Sequence, residues 1–154
     1  MKISTLHALA GTLAMLLIAT FWLATITSEL FMTTAAVVDV KHYIAIYGLV
    51  TLVILMGLTG GSGFIASKNR QGRLINHKKS RMRIIAVNGL IIMVPSAIFL
   101  NVKAAAGEFD IWFYGVQLLE LAVGLVQLIL MSSNFRAGLQ LSSRRRTNTV
   151  SSKI

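Results

Sequence analysis

The chain has 154 residues, 55 % of them apolar and only 13 % charged, with one proline, no cysteine and a formal net charge of +10. Its mean hydropathy of +0.73 is too high for a water-soluble domain of this size, whose surface would be about a quarter charged. The composition points to an integral membrane protein, and the lack of cysteine excludes disulfide scaffolds, thiolate metal sites and thiol chemistry.

The charges fall in clumps between long uncharged runs. Asp, Glu, Lys and Arg are absent from residues 3–28, 42–67 and 84–102, and residues 111–135 are interrupted once, by Glu120. About 20 apolar residues in a helix cross the hydrocarbon layer, and unbroken apolar runs lack the alternation of a barrel strand. The expected fold is therefore all-α, a polytopic membrane protein with four transmembrane helices near 5–27, 43–64, 84–102 and 111–133. Residues 1–137 read as a single four-helix transmembrane domain, and residues 138–154 as a basic, disordered cytosolic tail.

In chain order, the first run is too long and its single-lysine head too weakly basic for a cleaved signal peptide. Ala10 and Ala14 form a small-residue pair on it. The second carries Gly57 and Gly61 at small-xxx-small spacing, positions that let helix backbones approach closely. Its stretch GLTGGSGF lacks the G-K-[ST] ending of a phosphate loop. Pro95 should kink the third run beside Ser96 by freeing the carbonyl of Ile91. On the fourth, Gln117, Gly124 and Gln127 lie at i−3, i+4 and i+7 from Glu120, one narrow polar face that must point into the bundle, with Gly124 a further packing glycine.

Orientation follows from the basic residues. Lys2, the seven Lys and Arg of residues 68–83 and the five of residues 136–153 lie on one side, thirteen of fifteen, and only Lys41 and Lys103 lie on the other. The positive-inside rule makes the bundle N-in and C-in, with its basic face on anionic lipid at the cytosolic leaflet. The basic segments are short and lack interleaved aromatics, which argues against nucleic acid as a partner. Aromatics such as Tyr43, Tyr47, Trp112 and Tyr114 gather at the opposite boundary as an interfacial belt.

Glu120 is the most informative residue, because an ionised carboxylate about 13 Å below the boundary is costly unless paired or protonated. Counting depth along the expected spans brings Thr51 and Ser96 near its level and no basic side chain, so Glu120 is expected to be neutral and hydrogen-bonded. A structural acid joining helices, a proton-carrying group, and pairing with a cation from another subunit are the readings it leaves open. His7, His42 and His77 are the candidate haem or metal ligands. His7 and His42 sit at opposite boundaries, over about 20 Å apart, and cannot ligate one iron. The seven methionines show no M-x-x-M spacing. Glu29, Met32, Asp39 and His42 form an outer group able to hold a divalent ion weakly, although Asp39 and His42 at i,i+3 also suit a hydrogen bond at a helix start.

The pattern LHALAGTLAMLLIATFW resembles the first helix of small bacterial four-helix membrane proteins, including copper-resistance-type domains and four-helix b-type cytochromes, and KHYIAIYG resembles the second-span histidine of those cytochromes. That resemblance implies haem b as a cofactor. The cytochromes place further ligand histidines in their last two helices, whereas residues 84–135 here contain none. Taken whole, the chain is similar to an uncharacterised bacterial inner-membrane family. The functional expectation is a binding or accessory subunit of a larger inner-membrane complex, without a reaction of its own, associating with other membrane subunits or with itself. The alternative is a proton-coupled small transporter using Glu120, and the third reading is a haem-b electron carrier.

Overall fold

The computed structural model describes the backbone of residues 3–67 and 73–151 and the side chains of residues 3–65 and 80–140. Described residues outside the turns are helical: α1 (Ile3–Phe31), α2 (Thr34–Tyr43), α3 (Leu49–Ser67), α4 (Arg73–Val87), α5 (Val94–Ala105) and α6 (Ile111–Ser151). A single π turn, Ile44–Gly48, joins α2 to α3, and another, Asn88–Met93, joins α4 to α5. The result is four helices long and apolar enough to cross a membrane, Ile3–Phe31, Thr34–Ile65, Ser80–Ala105 and Ile111–Gln140. They are compatible with a multi-pass membrane protein.

The second of these begins nine residues earlier than the uncharged run suggested. Thr33 caps it, its side chain accepting the Ala36 N–H at 3.4 Å, so α1 and α2 are separated by Met32 and Thr33 alone. Asp39 and Lys41 consequently lie within the helix, and Asp39 plays no part in starting it. The third extends down to Ser80, into the segment read as a basic loop. Likewise α6 runs through Ser151, into the segment read as a disordered tail; after Gly138 no glycine or proline interrupts it, and Leu, Gln and Arg are good helix formers.

The π turns have local causes. Pro95 has no N–H to give to Ile91, and one residue earlier the Val94 N–H reaches five residues back, to the Gly89 carbonyl. At the other, the Leu49 N–H reaches the Ile44 carbonyl beside Gly48, where the Phe21 ring packs so closely that a Cβ would collide with it.

Helix α1 packs along α3 and also touches α6. Its small residues let the helices approach closely: Ala14 is fully buried beside Ile18, Ile85 and Met131, and Ala10 is 3 % exposed. A second apolar cluster of Val37, Leu100, Ala104 and Phe113 gathers the start of α2, the end of α5 and the start of α6, so the two short turns lie at one end of the bundle. The turn between α5 and α6 is sharply specified. Gly107 at φ 71 closes α5, with its N–H on the Ala104 carbonyl and the Glu108 N–H on the Lys103 carbonyl, the pairing of a Schellman motif. Asp110 then caps α6 by accepting the Phe113 N–H at 2.9 Å, and Lys103 Nζ ties both acids down, 2.7 Å from Glu108 and 2.8 Å from Asp110.

Candidate functional site

Three helices bring charge into the interior near the turn end. Lys41 of α2 places its Nζ 2.9 Å from Glu120 Oε2 of α6, with side-chain exposures of 2 % and 11 %. This corrects the expectation that no basic side chain reaches Glu120. The cause is the early start of α2. Lys41 lies seven residues, about 10.5 Å, from that start and Glu120 nine residues, about 13.5 Å, from the start of α6. A lysine side chain covers the remaining 3 Å.

Glu29, two residues before the end of α1, completes the cluster. The charges acting on it are Lys41 and Glu120, and its Oε1 is buried without a hydrogen-bond partner. It therefore turns inward, while Met32, Asp39 and His42 are exposed, so the four do not assemble as an outer metal group. Among the described residues no three His, Asp or Glu side chains converge as a metal site.

The polar face of α6 is buried as its spacing required. Gln117 is 4 % exposed and neither of its amide atoms has a partner. Gln127 donates from Nε2 to the Ile85 carbonyl at 3.0 Å, leaving its Oε1 unpaired. Gly124, between them, lies against Trp22, whose Cδ1 would stand 3.1 Å from an added Cβ and whose Nε1 donates to the Leu121 carbonyl at 2.9 Å. Ser96 is buried about 13.5 Å from the end of α5, at the depth of Glu120. Thr51 is not a partner: it is exposed, donates to the Tyr47 carbonyl, and lies 17 residues, about 25 Å, from the start of α2.

The histidines stay apart. His7 is half-buried with Nδ1 2.9 Å from the Thr59 carbonyl, an arrangement in which that nitrogen carries the proton, and its ring fills the space above Gly63 together with Met82. His42 is exposed near the far end of α2 from the turn, edge-on to Tyr43. The side chain of His77 lies outside the described residues.

The glycines of α3 divide sharply. A Cβ at Gly63 would stand 2.6 Å from Met82 Cε and 2.9 Å from His7 Cε1, and one at Gly11 of α1 would stand 3.4 Å from Thr59. A Cβ added at Gly57, Gly60 or Gly61 would meet nothing within 4 Å beyond its own stretch of helix. These three share an exposed stripe with Val50, Val53, Ile54 and Phe64. Compared with known protein families, curated proteins and solved structures, the chain matches none.

Proposed function

We propose that the protein is a non-catalytic, membrane-embedded binding or accessory subunit that docks on another transmembrane helix through the open glycine face of α3. One observation carries this reading: Gly57 and Gly61 have small-xxx-small spacing, and a Cβ added at either would meet nothing within 4 Å beyond its own stretch of helix. In lipid such a pair is useful where a second backbone comes close, since van der Waals packing replaces the hydrophobic drive. Within this chain Ala10 and Ala14 are buried and Gly48 and Gly63 are covered by side chains of neighbouring helices, whereas Gly57 and Gly61 are exposed.

The orientation belongs to the same proposal. The thirteen-to-two distribution of basic residues supports termini and the 68–83 segment on the cytosolic side of a bacterial inner membrane, with the two short turns outside.

A photoreactive residue at Val53, beside the glycine face, tests the docking in intact membranes. The expected result is a discrete protein adduct that disappears in Gly61→Ile, with no such adduct from the same probe at Leu118 of α6, which is 68 % exposed. An adduct that survives Gly61→Ile, or labelling of lipid alone from Val53, overturns the reading.

A further inference from the structure

The buried charges near the turn end do not balance. Glu29 from α1, Lys41 from α2 and Glu120 from α6 face one another. The neighbouring stretch of α5 contributes buried Ser96, Ala97 and Leu100 and no charge. The cation of α5, Lys103, is engaged with Glu108 and Asp110 in the turn. Asp39 and His42 of α2 are exposed. Two carboxylates and one ammonium sum to −1, and although Glu29 is only half-buried, its Oε1 and the Lys41–Glu120 pair are enclosed, where an uncompensated charge is disfavoured.

The hydrogen bonds leave the same remainder. Lys41 donates to Glu120 Oε2, and Glu29 Oε1 is buried with no partner. Gln117, on the same buried face of α6 as Glu120 and one turn nearer the turn end, has a free amide donor and a free amide acceptor. Measured along their helices from the turn end, Glu29 lies at about 3 Å, Gln117 at about 9 Å, Lys41 at about 10.5 Å and Glu120 at about 13.5 Å. The acid nearest the aqueous boundary is thus the one without a cation of its own.

We infer that Glu29, Lys41, Glu120 and Gln117 form a proton-binding site that takes one exchangeable proton from the turn end, with Glu29 as the carrier. The proton passes from hydronium to the Glu29 carboxylate, giving a neutral carboxylic acid and water, and the site becomes electrically neutral with Lys41 and Glu120 still paired. The unpartnered Gln117 amide offers an acceptor to the new O–H and a donor to a carboxyl oxygen. This site stands apart from the glycine face and does not depend on docking.

Proton number tests it. Infrared spectra of the full chain in lipid nanodiscs, with glutamate carbon-13 labelled, report protonated carboxyl groups by their carbonyl stretch. At neutral pH the wild type should show one protonated glutamate. Glu29→Gln should abolish it. Glu120→Gln should also abolish it, since Glu29 then inherits Lys41 as counter-ion, whereas Lys41→Met should double the band. Glu108→Gln, in the exposed turn, should leave it unchanged. A wild type with no such band, a band that persists in Glu29→Gln, or a band removed by sodium at constant pH would overturn the inference; the last would assign the site to a metal cation. Glu29→Gln and Glu120→Gln decide the matter even if Lys41→Met does not fold.

Discussion

Lys41→Met removes the charge at the centre of the interior cluster while keeping an unbranched side chain of similar length. At 2.9 Å and an effective dielectric of about 20, the gross attraction between Lys41 and Glu120 is about 6 kcal/mol. Desolvation of the two ions consumes most of this, so the pair itself adds little, whereas removing one partner strands the other and costs about 3–5 kcal/mol. Here the stranded groups are two acids. Glu29 and Glu120 must then both be protonated in the folded variant, although both are ionised in the unfolded chain at neutral pH. The variant therefore takes up two protons on folding at these groups where the wild type takes up one. Its stability falls with rising pH more steeply by one proton, about 1.4 kcal/mol per pH unit. Unfolding in mixed micelles at several pH values measures this directly. The deficit should be largest at alkaline pH and shrink on acidification. Glu120→Gln should cost less, about 1–2 kcal/mol, because glutamine still accepts from Lys41 and Glu29 still supplies the opposite charge. A Lys41→Met protein within about 0.5 kcal/mol of wild type at neutral pH, or with a parallel pH profile, would refute the reasoning.

Other consequences are independent of this pair. Gly48→Ala should destabilise the bundle by about 1–3 kcal/mol because the new methyl enters the Phe21 ring, and Gly57→Ala should leave unfolding within about 0.5 kcal/mol of wild type because it meets nothing; both are read in the same micelles. Trp22→Phe keeps most of the apolar contact but strands the Leu121 carbonyl that Trp22 Nε1 serves, and should cost about 1 kcal/mol in thermal unfolding. At the α5–α6 turn, the hydrogen bond from Lys103, followed by that from the Phe113 N–H, holds the Asp110 carboxyl below its ordinary range. Its contribution is thus present above the unfolded-state value and lost as pH falls through the lower folded value, and an NMR titration of Asp110 should show its midpoint return toward normal in Lys103→Met. Because the chain has no cysteine, single-cysteine labelling tests orientation: Ser80→Cys should resist an impermeant maleimide in intact cells and Ala106→Cys should react, and the reverse pattern would invert the bundle.

The helices were legible because the chain segregates its charges between apolar runs of about 20 residues or more, the length a helix needs to cross a membrane. Their ends were less so. Using charge as the boundary put the start of the second span after Lys41, whereas Thr33 starts it. A threonine followed by Thr-Ala-Ala-Val-Val was the available signal, and taking it would have placed Lys41 within 3 Å of the depth of Glu120. Glu120, Gln117 and Gln127 were visible as one face because 3.6-residue periodicity needs no knowledge of the other helices. Which glycine meets which neighbour does need it: Gly57, Gly61 and Gly63 have similar sequence surroundings, yet only Gly63 lies under His7 and Met82. Thr51 shows the same limit, since depth counted from a misplaced end carries its error to every residue along the helix.

The docking claim is tested most directly by the mass of the particle that contains this chain, released from native membranes in a mild detergent and measured by light scattering with detergent and lipid subtracted. The account predicts a particle heavier than the 16.8 kDa chain, reduced to the single chain by Gly57→Ile with Gly61→Ile while the helical content is retained. A wild-type particle of one chain's mass, or a larger particle that the paired substitutions leave intact, would contradict it.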